Sequence, residues 1–246
     1  TSVVSVDEHE SVKILAAAGA GTGVGAQISV DSQTSASVPA LFSYDRPLIT
    51  HVSPRFYPTT GYQLVIVQGE NFGQSGSAKS ITVGDTPCIT TGYTSHTQLS
   101  CLVSPGIGIN HVLRVDIQGQ SSTGPSTAVG LRFSYSAPTV AALQPANNPA
   151  TGTHVITFSG ANFGVNDYQP TGRVGLTACV TSTWTSDTSL TCIPPRGLGF
   201  SKDADVSVER QRGTLVGLFT YDQVSLTDLI PRNGPTSSNL RITAFG

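Results

Sequence analysis

The chain has 246 residues, a formal net charge of −2 and only 11% charged residues, where about a quarter is usual. Its 13 Lys and Arg are scattered, so it lacks the cationic cluster that nucleic-acid binding requires to neutralise phosphates. No apolar run approaches the roughly 20 residues that span a bilayer as a helix, and no signal-peptide pattern opens the chain, which reads as a mature or internal segment.

Phe42-Ser43-Tyr44 recurs as Phe133-Ser134-Tyr135 and Phe219-Thr220-Tyr221, at spacings of 91 and 86 residues. These repeats divide the chain into modules of about 90 residues. Residues 1–45 form the back end of one, 46–136 and 137–222 are two complete modules, and 223–246 are the front of another. A repeat array points to a structural or binding role before any single side chain is considered.

In residues 1–45, Gly19 and Gly21 fall where Gly106 and Gly108 fall in the next module. By the same alignment, Ile14 and Thr1 occupy the places of a cysteine pair. The run from Gly19 to Gly25 has the look of a phosphate-binding loop. Such a loop needs a helix after it and an acid about 20 residues on. Here a predicted strand, Ile28-Ser-Val30, follows, so the run is read as a turn.

The complete modules open with Pro47-Leu-Ile-Thr-His-Val-Ser-Pro54 and Pro138-Thr-Val-Ala-Ala-Leu-Gln-Pro145. Each continues with a Pro/Gly turn, Pro58 to Gly61 and Pro149 to Gly152. Predicted strands follow at Leu64–Val67 and Val155–Phe158, ending in Gly69-Glu-Asn-Phe-Gly73 and Gly160-Ala-Asn-Phe-Gly164. Cys88 and Cys101 are 13 residues apart, as are Cys179 and Cys192 at the same place in the next copy. Two pairs in register imply one disulfide inside each module and an oxidising compartment. Zinc is the competing reading, but no CxxC or nearby His pair is present. A Gly-x-Gly turn, an alternating strand (Val112–Ile117 and Val206–Val208) and the Phe-x-Tyr strand close each unit. In residues 223–246, Ile230-Pro231 answers Ser53-Pro54. Leu240–Thr243 is the expected counterpart of Leu64–Val67, with a one-residue deletion.

Short β runs with turn signals every 8–12 residues, and no helical period, describe an all-β chain of antiparallel sandwiches. The ordered set (Pro-x-Ile-x-x-Val-x-Pro, Gly-x-Asn-Phe-Gly, spaced cysteines, Phe-x-Tyr) resembles the IPT/TIG domain. That is the immunoglobulin-like module of plexin and hepatocyte-growth-factor-receptor ectodomains, of large extracellular multi-repeat proteins and of some transcription factors. The resemblance covers nearly the whole chain in successive copies. It implies tandem seven-stranded immunoglobulin-like β-sandwiches, serving adhesion, spacing or dimer contacts outside the cell, with no catalysis and no cofactor. The cysteine pairs and the lack of basic loops speak against the transcription-factor branch.

Candidate chemistry is sparse. His9, His51, His96, His111 and His154 show no triad or ligand spacing, and no nucleophile-elbow sequence exists. Asp45 and Asp222 sit at module junctions, where calcium would rigidify the joint. Calcium takes six to eight oxygens, the acids nearby are too few, and Ser136 stands at the middle joint. No catalytic or metal residue is therefore assigned. Trp184 is expected to pack in the core against the disulfide, with a surface carbohydrate contact as the alternative. No Asn-x-Ser/Thr sequon exists. Ser121, Ser122, Thr123, Ser126 and Thr127, in a predicted loop beside Pro125, are candidate O-glycosylation sites.

The partial ends are nearly complementary: residues 223–246 supply opening strands and 1–45 supply the rest. The first functional reading is a structural subunit of an extracellular fibre. Its partners are other copies joined head-to-tail by completing the split module, or adjacent repeats in covalent continuation, with attached O-glycans. The alternative is an adhesion or receptor ectodomain whose loops bind a protein or glycan partner. A stalk appended to a secreted enzyme comes third. The junctions from Phe42 to Pro47 and from Phe133 to Pro138 are short and end in proline, which restricts both itself and its predecessor to extended backbone, so the array is expected to be stiff and rod-like.

Overall fold

A computed structural model describes residues 2–7, 11–122, 131–237 and 239–246. The chain divides into two compact units, residues 1–136 and 137–246. Among the described residues, no helix is long and apolar enough to cross a membrane.

The first unit begins with a hairpin of β1 (Ser2–Asp7) and β2 (Ser11–Leu15). Next come β3 (Val24–Ala26), a tight hairpin of β4 (Ser29–Val30) and β5 (Gln33–Thr34), and β6 (Val38–Phe42), which pairs with β3. The expected strand Ile28–Val30 is thus the first arm of this small hairpin. Its turn residues, Asp31 and Ser32, both have positive φ, the geometry whose twist suits a two-residue β-connection.

A two-sheet module follows with β7 (Leu48–Ser53), β8 (Phe56–Tyr57), β9 (Leu64–Glu70), β10 (Lys79–Val83) and β11 (Thr86–Pro87). It is completed by β12 (Thr90–Ser95), β13 (Gln98–Leu102), β14 (His111–Ile117), β15 (Gln120–Ser121) and β16 (Arg132–Tyr135). One sheet has the order β12-β13-β9-β7. The other runs β11-β10-β14-β16-β8, with β15 also paired to β14. The chain changes sheets at Pro54, between β7 and β8, and β8 then runs parallel to β16. Alternate residues point inward, as strand geometry requires. Val65, Val67, Leu99 and Cys101 from one sheet meet Ile81, Val83, Val115 and Ile117 from the other.

The second unit repeats this plan with β17 (Thr139–Gln144), β18 (Asn147–Asn148), β19 (Ile156–Ala161), β20 (Thr171–Val174) and β21 (Thr177–Ala178). Then come β22 (Thr181–Ser186), β23 (Ser189–Ile193), β24 (Lys202–Val208) and β25 (Gln211–Tyr221). Its sheets are β17-β19-β23-β22 and β18-β25-β24-β20-β21, with β18 parallel to β25. The expected seven main strands per module are joined by short extra ones, because the opening strand splits between the sheets and a two-residue strand follows β10 and β20.

The last pair is β26 (Asp228–Ile230) and β27 (Thr243–Phe245). Its register corrects the expected alignment. Ile230 pairs with Thr243 as Ser53 pairs with Ile66. Thr243 therefore answers Ile66 and not Val67, and no deletion separates Pro231 from this strand. The strand begins where the expected run Leu240–Thr243 ends.

Candidate functional site

The Gly-x-Gly turn and the Phe-x-Tyr strand lock each other in all three places where both occur. In each Phe-x-Tyr pair the rings meet edge to face, with centroids 5.0, 5.1 and 5.0 Å apart. The tyrosine hydroxyls donate to the carbonyls of Ala17 (2.7 Å), Ser104 (2.7 Å) and Pro195 (2.6 Å). The first glycine lies under the tyrosine ring: a Cβ on Gly19, Gly106 or Gly197 would come within 2.5 to 2.6 Å of it. The second glycine has φ of +100°, +93° and +93° at Gly21, Gly108 and Gly199, a region closed to most side chains. Its carbonyl accepts the N–H of Tyr44, Tyr135 or Tyr221. Burial pushes the Tyr221 hydroxyl pKa up.

A second corner is built by Asn-Phe-Gly. Phe72 and Phe163 are fully buried. Asn71 and Asn162 take positive φ and donate from Nδ2 to the carbonyls of Arg46 and Ala137, each at 3.1 Å. This ties the corner to the residue before the module's opening proline. Tyr93 Oη and Trp184 Nε1 donate to Gly73 O (3.1 Å) and Gly164 O (3.0 Å). Trp184 is half-buried and braces this corner from β22. The Lys79 ammonium sits 4.5 Å from the Tyr93 ring centroid.

The cysteines form the disulfides Cys88–Cys101 and Cys179–Cys192, with Cα–Cα distances of 5.5 and 5.9 Å. Each joins the residue just after β11 or β21 to the penultimate residue of β13 or β23, and so pins one sheet to the other.

The remaining candidate residues are dispersed. His111 Nε2 lies 2.8 Å from Ile107 O, and the backbone of His154 bonds the buried Asn148 side chain. No group of three or more His, Cys, Asp or Glu that fits a metal occurs among the described residues. At the junctions, Asp45 is exposed and Asp222 accepts from Asn147 Nδ2. Ser121 belongs to β15 and not to a loop, because Gln120 and Ser121 pair back on Ile117 and Asp116. The Ser121 hydroxyl donates to Asp116, and Ser122 Oγ accepts the Val115 N–H at 3.1 Å. Thr123, Ser126 and Thr127 lie outside the described residues.

Two features escaped the sequence. An open hollow of about 870 Å³ is lined by Asn147, Leu198, Phe200, Tyr221, Asp222 and Val224. It carries no cluster of reactive groups. Asp205, on β24, is fully buried and pairs with Arg212. Desolvation outweighs the arginine and raises its pKa. What this geometry offers is recurrent, rigid module ends made of backbone and aromatic groups.

Plexin-2 of Caenorhabditis briggsae is 30% identical over 140 residues, covering 56% of this chain. Plexin-2 of Caenorhabditis elegans is 30% identical over 137 residues, covering 54% of this chain. The matched part spans 8% of the length of either relative. Among solved structures, the full extracellular region of Plexin A4 aligns at a TM-score of 0.35 and 20% identity, over 75% of this chain and 16% of that one. Residues 47–132 and 138–222, more than half of the chain, match the IPT/TIG domain, and the chain belongs to the IPT/TIG domain family.

Proposed function

We propose that this chain is a stretch of a receptor-type ectodomain. In this reading its IPT/TIG modules space and present binding surfaces outside the cell and perform no reaction. The observation that carries the reading is the 30% identity to Plexin-2 over 140 residues. The two intra-module disulfides add support, since such bonds persist in oxidising compartments. The same relatives favour this reading over a fibre subunit. The match reaches 8% of the length of either relative, so nothing about ligand, signalling or membrane anchoring is transferred from them.

The test is secretion through an oxidising pathway, followed by sedimentation and negative-stain imaging. The expected result is a monodisperse species with both disulfides formed. Concentration-dependent filaments would restore the fibre reading. Retention in the cytosol with free thiols would remove the extracellular one.

A further inference from the structure

The first unit contains a contact between successive modules, and its chemistry is unusually economical. Gln118 and Gly119 form the turn between β14 and β15, both with positive φ. That turn points the next residue, Gln120, at the end of residues 1–45. The Gln120 side chain is 6% exposed. Its Oε1 accepts the Gly21 N–H at 3.1 Å, and its Nε2 donates to the Tyr44 carbonyl at 3.0 Å. Gly21 and Tyr44 are themselves joined, the Tyr44 N–H donating to Gly21 O at 3.0 Å. The pair therefore presents one donor and one acceptor side by side, and the glutamine amide is the complement of both. Beside it Ala20 packs against the core of the 46–136 module. A Cβ on Gly21 would lie 3.3 Å from Gln118 Cβ.

We infer that Gln120 is the bolt of a latch on the 46–136 module that recognises the Gly-x-Gly end of a preceding IPT/TIG module through main-chain atoms. The two bonds go to backbone groups, so recognition is indifferent to the side chains of the preceding module except where the conformation demands glycine, at position 21. The surface is thus a docking face for a class of partner, any module end with the Gly-x-Gly and Phe-x-Tyr lock. Bound there, residues 1–45 and 46–136 move as one body. This goes beyond the receptor reading and stands without it.

The test uses the whole chain and follows amide hydrogen exchange residue by residue. Gln120→Met keeps the side chain's length and removes both bonds. Exchange at the Gly21 amide is expected to rise roughly threefold to tenfold, with the unfolding midpoint of the 46–136 module unchanged. Gln120→Glu keeps an acceptor for Gly21 and sets a carboxylate against the Tyr44 carbonyl. It is expected to protect Gly21 better than Met does and to leave the two parts free to reorient, read as altered residual dipolar couplings. Unchanged Gly21 exchange in a folded Met variant overturns the latch. If the Met variant fails to fold, unchanged couplings in the Glu variant overturn it instead.

Discussion

Gly106 has no room for a methyl group, because Tyr135 ring carbons lie 2.6 Å from where its Cβ would stand. Gly106→Ala must push the ring off its hydrogen bond to Ser104 or shift the loop. We expect a loss of about 1–3 kcal/mol, the range for overpacking, measured by urea unfolding. Gly76→Ala is the control: nothing lies within 4 Å of its Cβ position, and its effect is expected within about 0.5 kcal/mol. Asp205 makes a pH prediction. Its folded pKa is raised by burial, against the pull of Arg212. The folded state therefore keeps the proton to higher pH than the unfolded state. The stability this contributes is complete below the usual aspartate range and is lost as pH rises through the raised value. Asp205→Asn cannot titrate. The variant's stability relative to the parent is expected to rise over that acid window and then level off, in unfolding curves taken from pH 3 to 7. A flat difference across the window contradicts the assignment.

At the scale of elements, each disulfide closes a 13-residue separation and crosses between sheets. Replacing Cys88 and Cys101 together by Ser is expected to destabilise the 46–136 module by about 2–4 kcal/mol, seen as a drop in its melting temperature while the other module's transition stays. The cysteines were legible because two pairs recur in register, β14 and β16 because their apolar residues alternate, and β7 and β9 because apolar runs recur between the same Pro and Gly signals in both modules. The parallel strands β8 and β18 left no such trace. Two residues held by main-chain bonds need no pattern, and Phe56 is exposed although its strand is paired. Strand β15 was hidden inside a stretch that reads as loop, since Gln-Gly-Gln-Ser has no apolar residue. The bond from Trp184 was missed, although a signal existed: Tyr93 stands the same five residues after the first cysteine in the preceding module. Gln120 had no signal, because its partners are backbone atoms 76 and 99 residues away.

For the molecule as a whole, the sparse charge leaves solubility to hydroxyl groups and to anything attached to them. We propose that O-linked sugars are carried in the 121–127 stretch, on Thr123, Ser126 or Thr127. The hydroxyls of Ser121 and Ser122 are already engaged. Intact mass after secretion from a eukaryotic host is expected to exceed the bare sequence by whole sugar residues, and equality with the bare mass refutes this.

The parallel pairing of β8 with β16 and of β18 with β25 has a mechanical consequence. Within each module one of these strands lies near the point of entry and the other at the exit. Tension along the chain therefore pulls two neighbouring parallel strands in opposite directions. The bonds Ser134 N–H to Arg55 O and Ser136 N–H to Tyr57 O, at 2.8 and 2.7 Å, then lie across the load. So do Thr220 N–H to Ala146 O and Asp222 N–H to Asn148 O, at 2.8 and 2.9 Å. Bonds loaded side by side share the force and break together, whereas a hairpin pulled from its open end unzips one bond at a time. Each module is therefore expected to hold its length under stretch until a threshold force and then to yield abruptly, when single chains are pulled from their ends.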